Sequence, residues 1–152
     1  MDLTDAGAPG VYGALLLSAF LSATLLPGSS ELLLASLLVA GRGDPVLLTL
    51  IAALGNTLGS VFNWWCGRFL MHRQDARWFP VSRAQLDRGA RVFARWGRPA
   101  LLLSWMPVVG DALTLVAGLL GVRLLPFVFL VGAGKALRYA FVTALTLGVV
   151  QF

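Results

Sequence analysis

Unequal apolar stretches, some of them interrupted by proline, dominate this chain. Two stretches, 46–66 and 124–150, contain 21 and 27 residues, enough for helices that cross a hydrocarbon core of about 30 Å. The remaining stretches would extend only about 10–24 Å as helices; they are 11–26, 32–40, 100–106 and 112–122. Backbone polar groups at membrane depth must be satisfied within the protein, so the pattern predicts an all-α integral membrane protein.

The composition favours the same class of protein. Hydrophobic residues make up 58% of the 152 residues and charged residues only 12%, against about 25% in soluble domains. The mean hydropathy is +0.81. A soluble domain of this size leaves about a third of its surface exposed and could not bury so much apolar surface. We therefore expect a single membrane domain over 1–152.

The positive charge is concentrated in one segment. The formal net charge is +5, and eight of the twelve cations lie between Arg68 and Arg98. A basic segment between apolar stretches is typical of a cytoplasmic loop that faces anionic lipid. We therefore place segment 67–99 in the cytoplasm and do not expect nucleic acid as a partner.

Within this segment, residues 82–96 fit a basic amphipathic helix with Ser82 as the N-cap. By helical spacing, one face carries four apolar residues: Leu86, Ala90, Phe93 and Trp96. Two placements remain open for such a helix. It either lies in the membrane interface or packs on the cytoplasmic face of its own protein.

The chain offers little for covalent or metal chemistry. It contains one cysteine, Cys66, and one histidine, His72. These residues cannot form an internal disulfide or the usual zinc, haem or iron–sulfur sites. Phosphate-binding loops and nucleophile elbows are also absent from the sequence. We expect no metal, no cofactor and no enzymatic activity.

The same motifs occur in the same order in the two halves of the chain. In each half, an apolar arm meets a proline and a carboxylate follows four residues later, at Pro27 and Glu31 and again at Pro107 and Asp111. A short apolar arm and then a long stretch follow. Proline breaks a helix, and paired interrupted segments are typical of inverted-repeat transporters.

We therefore predict an inverted repeat of a re-entrant helical hairpin plus a transmembrane helix. Repeat 1 covers about 11–66 and repeat 2 about 100–150, with Gly28 and Gly110 beside the prolines at the hairpin tips. The first hairpin would enter from outside and the second from the cytoplasm. The alternative is four spanning helices, two of them kinked by proline.

Four charged residues fall within apolar stretches: Glu31, Asp111, Lys135 and Arg138. Each costs roughly 2.5–3.5 kcal/mol at the bilayer centre, so the set requires mutual pairing or a hydrated cavity. Two interpretations remain open. The charges form structural salt bridges, or the carboxylates respond to protons while Lys135 and Arg138 bind an anionic headgroup. Arg68 is either an interface anchor or a further phosphate contact.

The stretch 46–66 carries small and polar residues at helical spacing. Gly55 and Gly59 form a G-x-x-x-G pair, and Asn56 and Asn63 add amides. Small residues four apart allow close helix packing, and amides bond across to a neighbouring helix. We expect these four residues to support helix packing and a polar groove.

Taken together, these motifs resemble the DedA family (the VTT, or SNARE-associated Golgi, domain), specifically its small YqaA-like branch. The resemblance covers residues 11 to about 145. It is carried by the tip from Pro27 to Glu31, the Gly-rich helix ending in Gly67-Arg68, the second hairpin 104–118 and the motif 134–139 (GKALRY). One departure is that Ser104 and Gly110 stand where larger members carry arginines.

The resemblance implies translocation of a membrane lipid and a location in a bacterial inner membrane. Bacterial members are linked to recycling of the polyprenyl-phosphate carrier and to the proton-motive force, and eukaryotic relatives resemble phospholipid scramblases. The expected partners are thus membrane lipids with anionic headgroups and protons, and a homo-oligomer remains open. Two other functions stay under consideration: a small proton-coupled multidrug exporter and a non-transporting membrane scaffold or assembly factor.

Overall fold

The computed structural model describes residues 8–24, 29–69, 82–106 and 109–151. Every element in these ranges is a helix, which confirms the all-α class. The α-helices are α1 (Ala8–Thr24), α2 (Ser29–Val39), α3 (Pro45–Phe69), α4 (Arg83–Trp96), α5 (Val109–Leu119) and α6 (Leu124–Val150). A 3₁₀ helix, Arg98–Trp105, lies between α4 and α5. The predicted tip residues Pro27, Gly28 and Pro107 lie outside the described residues.

Two of the described helices, α3 and α6, are long and apolar enough to cross a membrane. They contain 25 and 27 residues and extend about 37 Å and 40 Å. The helices α2 and α5 contain 11 residues each, or about 16 Å, which is roughly half of a hydrocarbon core. The predicted division into long and short apolar segments is therefore present in the structure.

The two 11-residue helices, α2 and α5, pack on the long helix of the other half of the chain. The helix α1 packs along α3, and the 3₁₀ helix packs along α6. By contrast, α2 packs chiefly on α6, and α5 packs chiefly on α3. The two long helices also contact each other. The halves are therefore interleaved. The inverted repeat and the re-entry of the hairpins stay predictions.

Glycines permit the closest of these helix contacts. A Cβ at Gly67 would lie 1.9 Å from the Leu115 carbonyl oxygen, and a Cβ at Gly118 would lie 1.9 Å from the Trp64 carbonyl oxygen. No side chain larger than hydrogen fits at these distances. The backbones of α3 and α5 are thus in direct contact on both sides of the crossing.

The amphipathic helix α4 forms at the predicted place. The Ser82 hydroxyl accepts a hydrogen bond from the backbone amide of Gln85. The side-chain oxygen of Gln85 accepts one from the backbone amide of Ser82, which completes a capping box. The helix packs on α5. Its buried residues are Leu86, Gly89 and Phe93. Two members of the predicted face are exposed, Ala90 and Trp96, because Gly89 and not Ala90 sits at the closest approach to α5.

Two apolar clusters make up the core. One contains Leu101, Leu113 and Phe127 and joins the end of α3, α4, the 3₁₀ helix, α5 and the first turns of α6. The other contains Leu15, Leu34 and Leu48 and joins α1, α2, the first turns of α3 and, through Tyr139, α6. The middle turns of α3 and α6, which lie between these clusters, carry the polar residues of the candidate site.

Candidate functional site

The middle turn of α6 carries three residues that contact other helices through polar atoms. They are Lys135, Arg138 and Tyr139. Their partners lie on α2 and α3, so this turn joins the first half of the chain to the second. Because the surrounding helices are apolar, each polar contact here replaces water that a membrane interior does not supply.

Arg138 forms an ion pair with Glu31, the third residue of α2. The side chains are 19% and 16% exposed, respectively. The two carboxylate oxygens of Glu31 make no hydrogen bond of good geometry within the described parts of the chain, so the contact is an ion pair and not an aligned hydrogen bond. The first turn of a helix also favours a negative charge through the backbone dipole.

A second contact between α2 and α6 lies directly beside this ion pair. The hydroxyl groups of Ser30 and Tyr139 are 2.6 Å apart and share a hydrogen bond, and both side chains are fully buried. Ser30 precedes Glu31 in the sequence, and Tyr139 follows Arg138. The bond therefore fixes the first turn of α2 against α6 at the height of the ion pair.

Lys135 takes part in a chain of hydrogen bonds through three helices. Its ammonium group donates to the Asn56 side-chain oxygen, and the Asn56 amide nitrogen donates to the Ala19 carbonyl oxygen at 3.0 Å. Lys135 is only 1% exposed. The partner of this cation is an amide and not a carboxylate, so the four charged residues do not form two simple ion pairs.

Asp111 occupies the place in α5 that Glu31 occupies in α2, the third residue of the helix. Next to it, the Asn63 amide nitrogen donates to the Ala23 carbonyl oxygen at 2.9 Å and to the Thr114 hydroxyl at 3.3 Å. The Thr114 hydroxyl donates to the Asp111 carbonyl oxygen at 2.7 Å. Asn63 thus connects α1 to the first turn of α5.

A cleft of about 740 Å³ opens beside the Glu31–Arg138 ion pair. Its other walls come from the 3₁₀ helix and from α6, and they are apolar: Leu102, Leu103, Trp105, Gly134, Leu137, Phe141 and Val142. Leu137 and Phe141 are 72% and 67% exposed, so the cleft is open on an apolar side of the protein. Among the described residues that line it, the charged ones are Glu31 and Arg138.

Arg68 lies away from this cleft, at the end of α3. Its guanidinium group lies 5.7 Å from the ring centre of Trp64 and 5.8 Å from that of Phe69. The Trp64 indole nitrogen donates to the Val122 carbonyl oxygen at 2.9 Å. The structure therefore places Arg68 in an aromatic group beside the turn between α5 and α6.

Gly55 and Gly59 lie where α3 meets α1. A Cβ at these positions would come 2.5 Å and 2.6 Å from the carbonyl oxygens of Leu16 and Phe20. Gly110 lies against the 3₁₀ helix, where a Cβ would come 2.2 Å from the Ser104 carbonyl oxygen. Gly55 and Gly59, predicted to support helix packing, thus lie at backbone contacts, and Gly110, predicted at a hairpin tip, is the second residue of α5.

The sequence did not indicate Ser30, Tyr139 and Trp105 as parts of this site. A usable signal was present for two of them, because each stands next to a charged residue within an apolar stretch. A hydroxyl at membrane depth requires a partner, and Ser30 and Tyr139 supply partners for each other. Trp105 carried no such signal, since its place in the cleft depends on the path of the 3₁₀ helix.

Comparison with known proteins gives consistent results. A model of the VTT domain matches residues 26–147. The inner membrane protein YqaA of Escherichia coli (strain K12) is 45% identical over 133 residues, which cover 88% of this chain and 89% of that protein. The protein of the same name in Shigella flexneri gives the same values. An uncharacterized protein of Haemophilus influenzae is 38% identical over 130 residues, which cover 81% of this chain and 79% of that protein. No solved structure matches the chain.

These relatives and the two long apolar helices confirm the expected location in a bacterial inner membrane. The cytoplasmic placement of segment 67–99 stays a prediction, and residues 70–81 of that segment lie outside the described residues.

Proposed function

The chain belongs to the VTT-domain (DedA) family of membrane proteins, a family linked to membrane transport, and from this premise we propose that it moves a lipid with an anionic headgroup across the inner membrane. The substrate class is a polyprenyl phosphate or an anionic phospholipid. Transport, and not catalysis, is the proposed activity. The observation that carries the proposal is the apolar cleft whose charged lining, among the described residues, is the Glu31–Arg138 ion pair.

The shape and chemistry of the cleft suit an amphipathic substrate. A volume of about 740 Å³ is within the range that binds small organic ligands. The exposed Leu137 and Phe141 leave one side open, so acyl or prenyl chains can remain in the lipid while the headgroup enters. A phosphate group would find a guanidinium at the cleft wall, and such charge-assisted hydrogen bonds are among the strongest in proteins.

Glu31 would regulate access to Arg138. While its carboxylate is ionised, it is paired with the guanidinium and competes with an entering phosphate. A proton taken up by Glu31 removes this competition and leaves the largely buried Arg138 without its carboxylate partner, which is costly until an anion binds. Proton binding and phosphate binding would therefore favour each other, which provides a physical route to proton coupling.

The remaining predicted residues have supporting roles in this proposal. Lys135 is held by Asn56 and adds positive charge one turn from Arg138, and Asp111 provides the matching carboxylate in the second half. Arg68 would contact lipid phosphate at the membrane interface. These roles for Lys135, Asp111 and Arg68 are proposals.

We also propose that α1 with α2, and the 3₁₀ helix with α5, are re-entrant hairpins related by an inverted repeat. The lengths support this, because α2 and α5 reach only about half of the hydrocarbon core. The packing supports it too. In each half, the first arm lies on its own long helix and the second arm lies on the other long helix.

The test is transfer of a fluorescent polyprenyl phosphate or phospholipid in proteoliposomes, with and without a pH gradient. We expect transfer by the wild type, its loss in Arg138→Gln, and transfer without dependence on the gradient in Glu31→Gln. The matched control is Arg42→Gln, which removes an exposed arginine outside the cleft and should transport normally.

Three outcomes would contradict the proposal. Normal transfer by folded Arg138→Gln would remove the headgroup site from the cleft. Export of cationic compounds without lipid transfer would favour a multidrug exporter. Absence of any transfer, together with unfolding of the Glu31 and Arg138 variants, would make the ion pair structural and favour a scaffold.

A further inference from the structure

The outward face of α4 carries a row of arginines that the proposed transport site does not use. Arg88, Arg91 and Arg95 are exposed and fall at spacings of three and four residues, which places them on one side of a helix. The opposite side of α4 is buried against α5. This row, called the arginine face below, is defined by these three residues.

We propose that the arginine face binds the headgroups of anionic phospholipids in the leaflet next to α4. The inference does not rest on lipid transport, since it concerns the membrane surface and not the cleft. It predicts that anionic lipids are enriched around α4 whether or not the protein moves a lipid.

The packing of α4 leaves the arginine face available. The apolar residues Leu86 and Phe93 are buried, and a Cβ at Gly89 would lie 3.0 Å from the Ala112 carbonyl carbon. An isolated amphipathic helix buries its apolar face in the bilayer. In α4 this face is already covered by protein, so its contact with the membrane would occur through charge.

Exposed aromatic side chains support a position of the arginine face at the headgroup level. Trp96, the last residue of α4, is 59% exposed, and its ring centre lies 5.6 Å from the Arg95 guanidinium. The end of α3 presents Trp65 and Phe69, which are 44% and 55% exposed. Exposed tryptophans beside arginines are typical of the membrane–water interface.

Charge complementarity indicates that the molecule bound by the arginine face is anionic. Within the described part of α4, Asp87 is the only acidic residue, so the exposed surface is strongly positive. Each basic residue near an anionic leaflet contributes an attraction equivalent to about a fivefold change in binding. Arginine also binds phosphate oxygens through two parallel hydrogen bonds.

The experiment measures lipid composition at two sites in phosphatidylcholine nanodiscs. A fluorophore is attached to a single cysteine at Ala94, an exposed residue beside Arg95, in a Cys66→Ala background. Quenching is compared between nitroxide-labelled phosphatidylglycerol and equally labelled phosphatidylcholine. The reference label is at Val46, which is 68% exposed in the first turn of α3.

We expect phosphatidylglycerol to quench the label at position 94 several times more strongly than phosphatidylcholine, and the two lipids to quench equally at position 46. Replacing Arg88, Arg91 and Arg95 with glutamine should lower the preference by up to about fivefold per arginine. Replacing them with lysine should preserve most of it. Salt at 1 M should weaken it, because the screening length falls to about 3 Å.

A fold control accompanies these variants. The three arginines are exposed, so the α4 amides of each variant should keep the hydrogen-exchange protection of the wild type. Equal quenching by the two lipids at position 94 in the wild type would overturn the proposal and leave the face to a soluble acidic partner. An unchanged preference in the protected triple glutamine variant would also overturn it.

Discussion

The backbone contact between α3 and α5 allows a quantitative prediction of how the substitution Gly118→Ala changes the stability of the protein. The added Cβ would lie 1.9 Å from the Trp64 carbonyl oxygen, whereas real Cβ atoms essentially never come closer than 3.0 Å. The obstacle is backbone and not the end of a flexible side chain. The two helices must therefore move apart by about 1 Å, and a gap of this size forfeits up to half of the dispersion energy of each contact.

Overpacking of this kind costs about 1–3 kcal/mol, less the roughly 0.5–1 kcal/mol that alanine gains over glycine in a helix. We expect Gly118→Ala to lower the free energy of unfolding by up to about 2.5 kcal/mol. The assay is equilibrium unfolding in bicelles, with wild type and variant compared under identical lipid conditions.

The matched control is Gly13→Ala in α1, where nothing lies within 4 Å of the added Cβ. This variant should be as stable as the wild type or more stable by up to about 1 kcal/mol. If Gly118→Ala were as stable as Gly13→Ala, the direct backbone contact between α3 and α5 would be refuted.

Three further substitutions test other contacts. Tyr139→Phe should destabilise the protein by about 1 kcal/mol, because it leaves the buried Ser30 hydroxyl without its partner; wild-type stability in the unfolding assay would contradict this bond. Asn56→Leu should cost more, about 2–3 kcal/mol, since it leaves the Lys135 ammonium group buried and unpaired; the double variant with Lys135→Met should recover part of the loss. Ser82→Ala should lower the stability of the first turn of α4 by about 1 kcal/mol, and hydrogen exchange should become faster in that turn and not in α6.

Much of the helix layout could be predicted from hydrophobic lengths alone. Helix α6 begins at Leu124 and ends at Val150, as the apolar stretch indicates. Helix α3 continues past the predicted end at 66 to Phe69. The reason is that Gly67, which resembles a helix-ending residue in sequence, lies instead at the backbone contact with Leu115.

The site was only partly predictable, because partners in a membrane protein depend on helix rotation. The sequence indicated that Glu31 and Arg138 needed partners, and the structure pairs them. The same reasoning did not indicate that Lys135 would be held by Asn56. An apolar stretch has no strong polar face from which the direction of each side chain could be derived, so the partner of each buried charge emerges only from the packing.

The interleaved packing of α2 on α6 has a consequence for biosynthesis. Arg138 lies 107 residues after Glu31 (138 minus 31), and translation at about 5–20 residues per second separates their synthesis by roughly 5–20 s. During that interval α2 has neither its ion pair nor its bond from Ser30 to Tyr139. The nascent first half must therefore wait with an incomplete core, exposed to aggregation and to membrane proteases. Its survival depends on how quickly the last helix is made and docked.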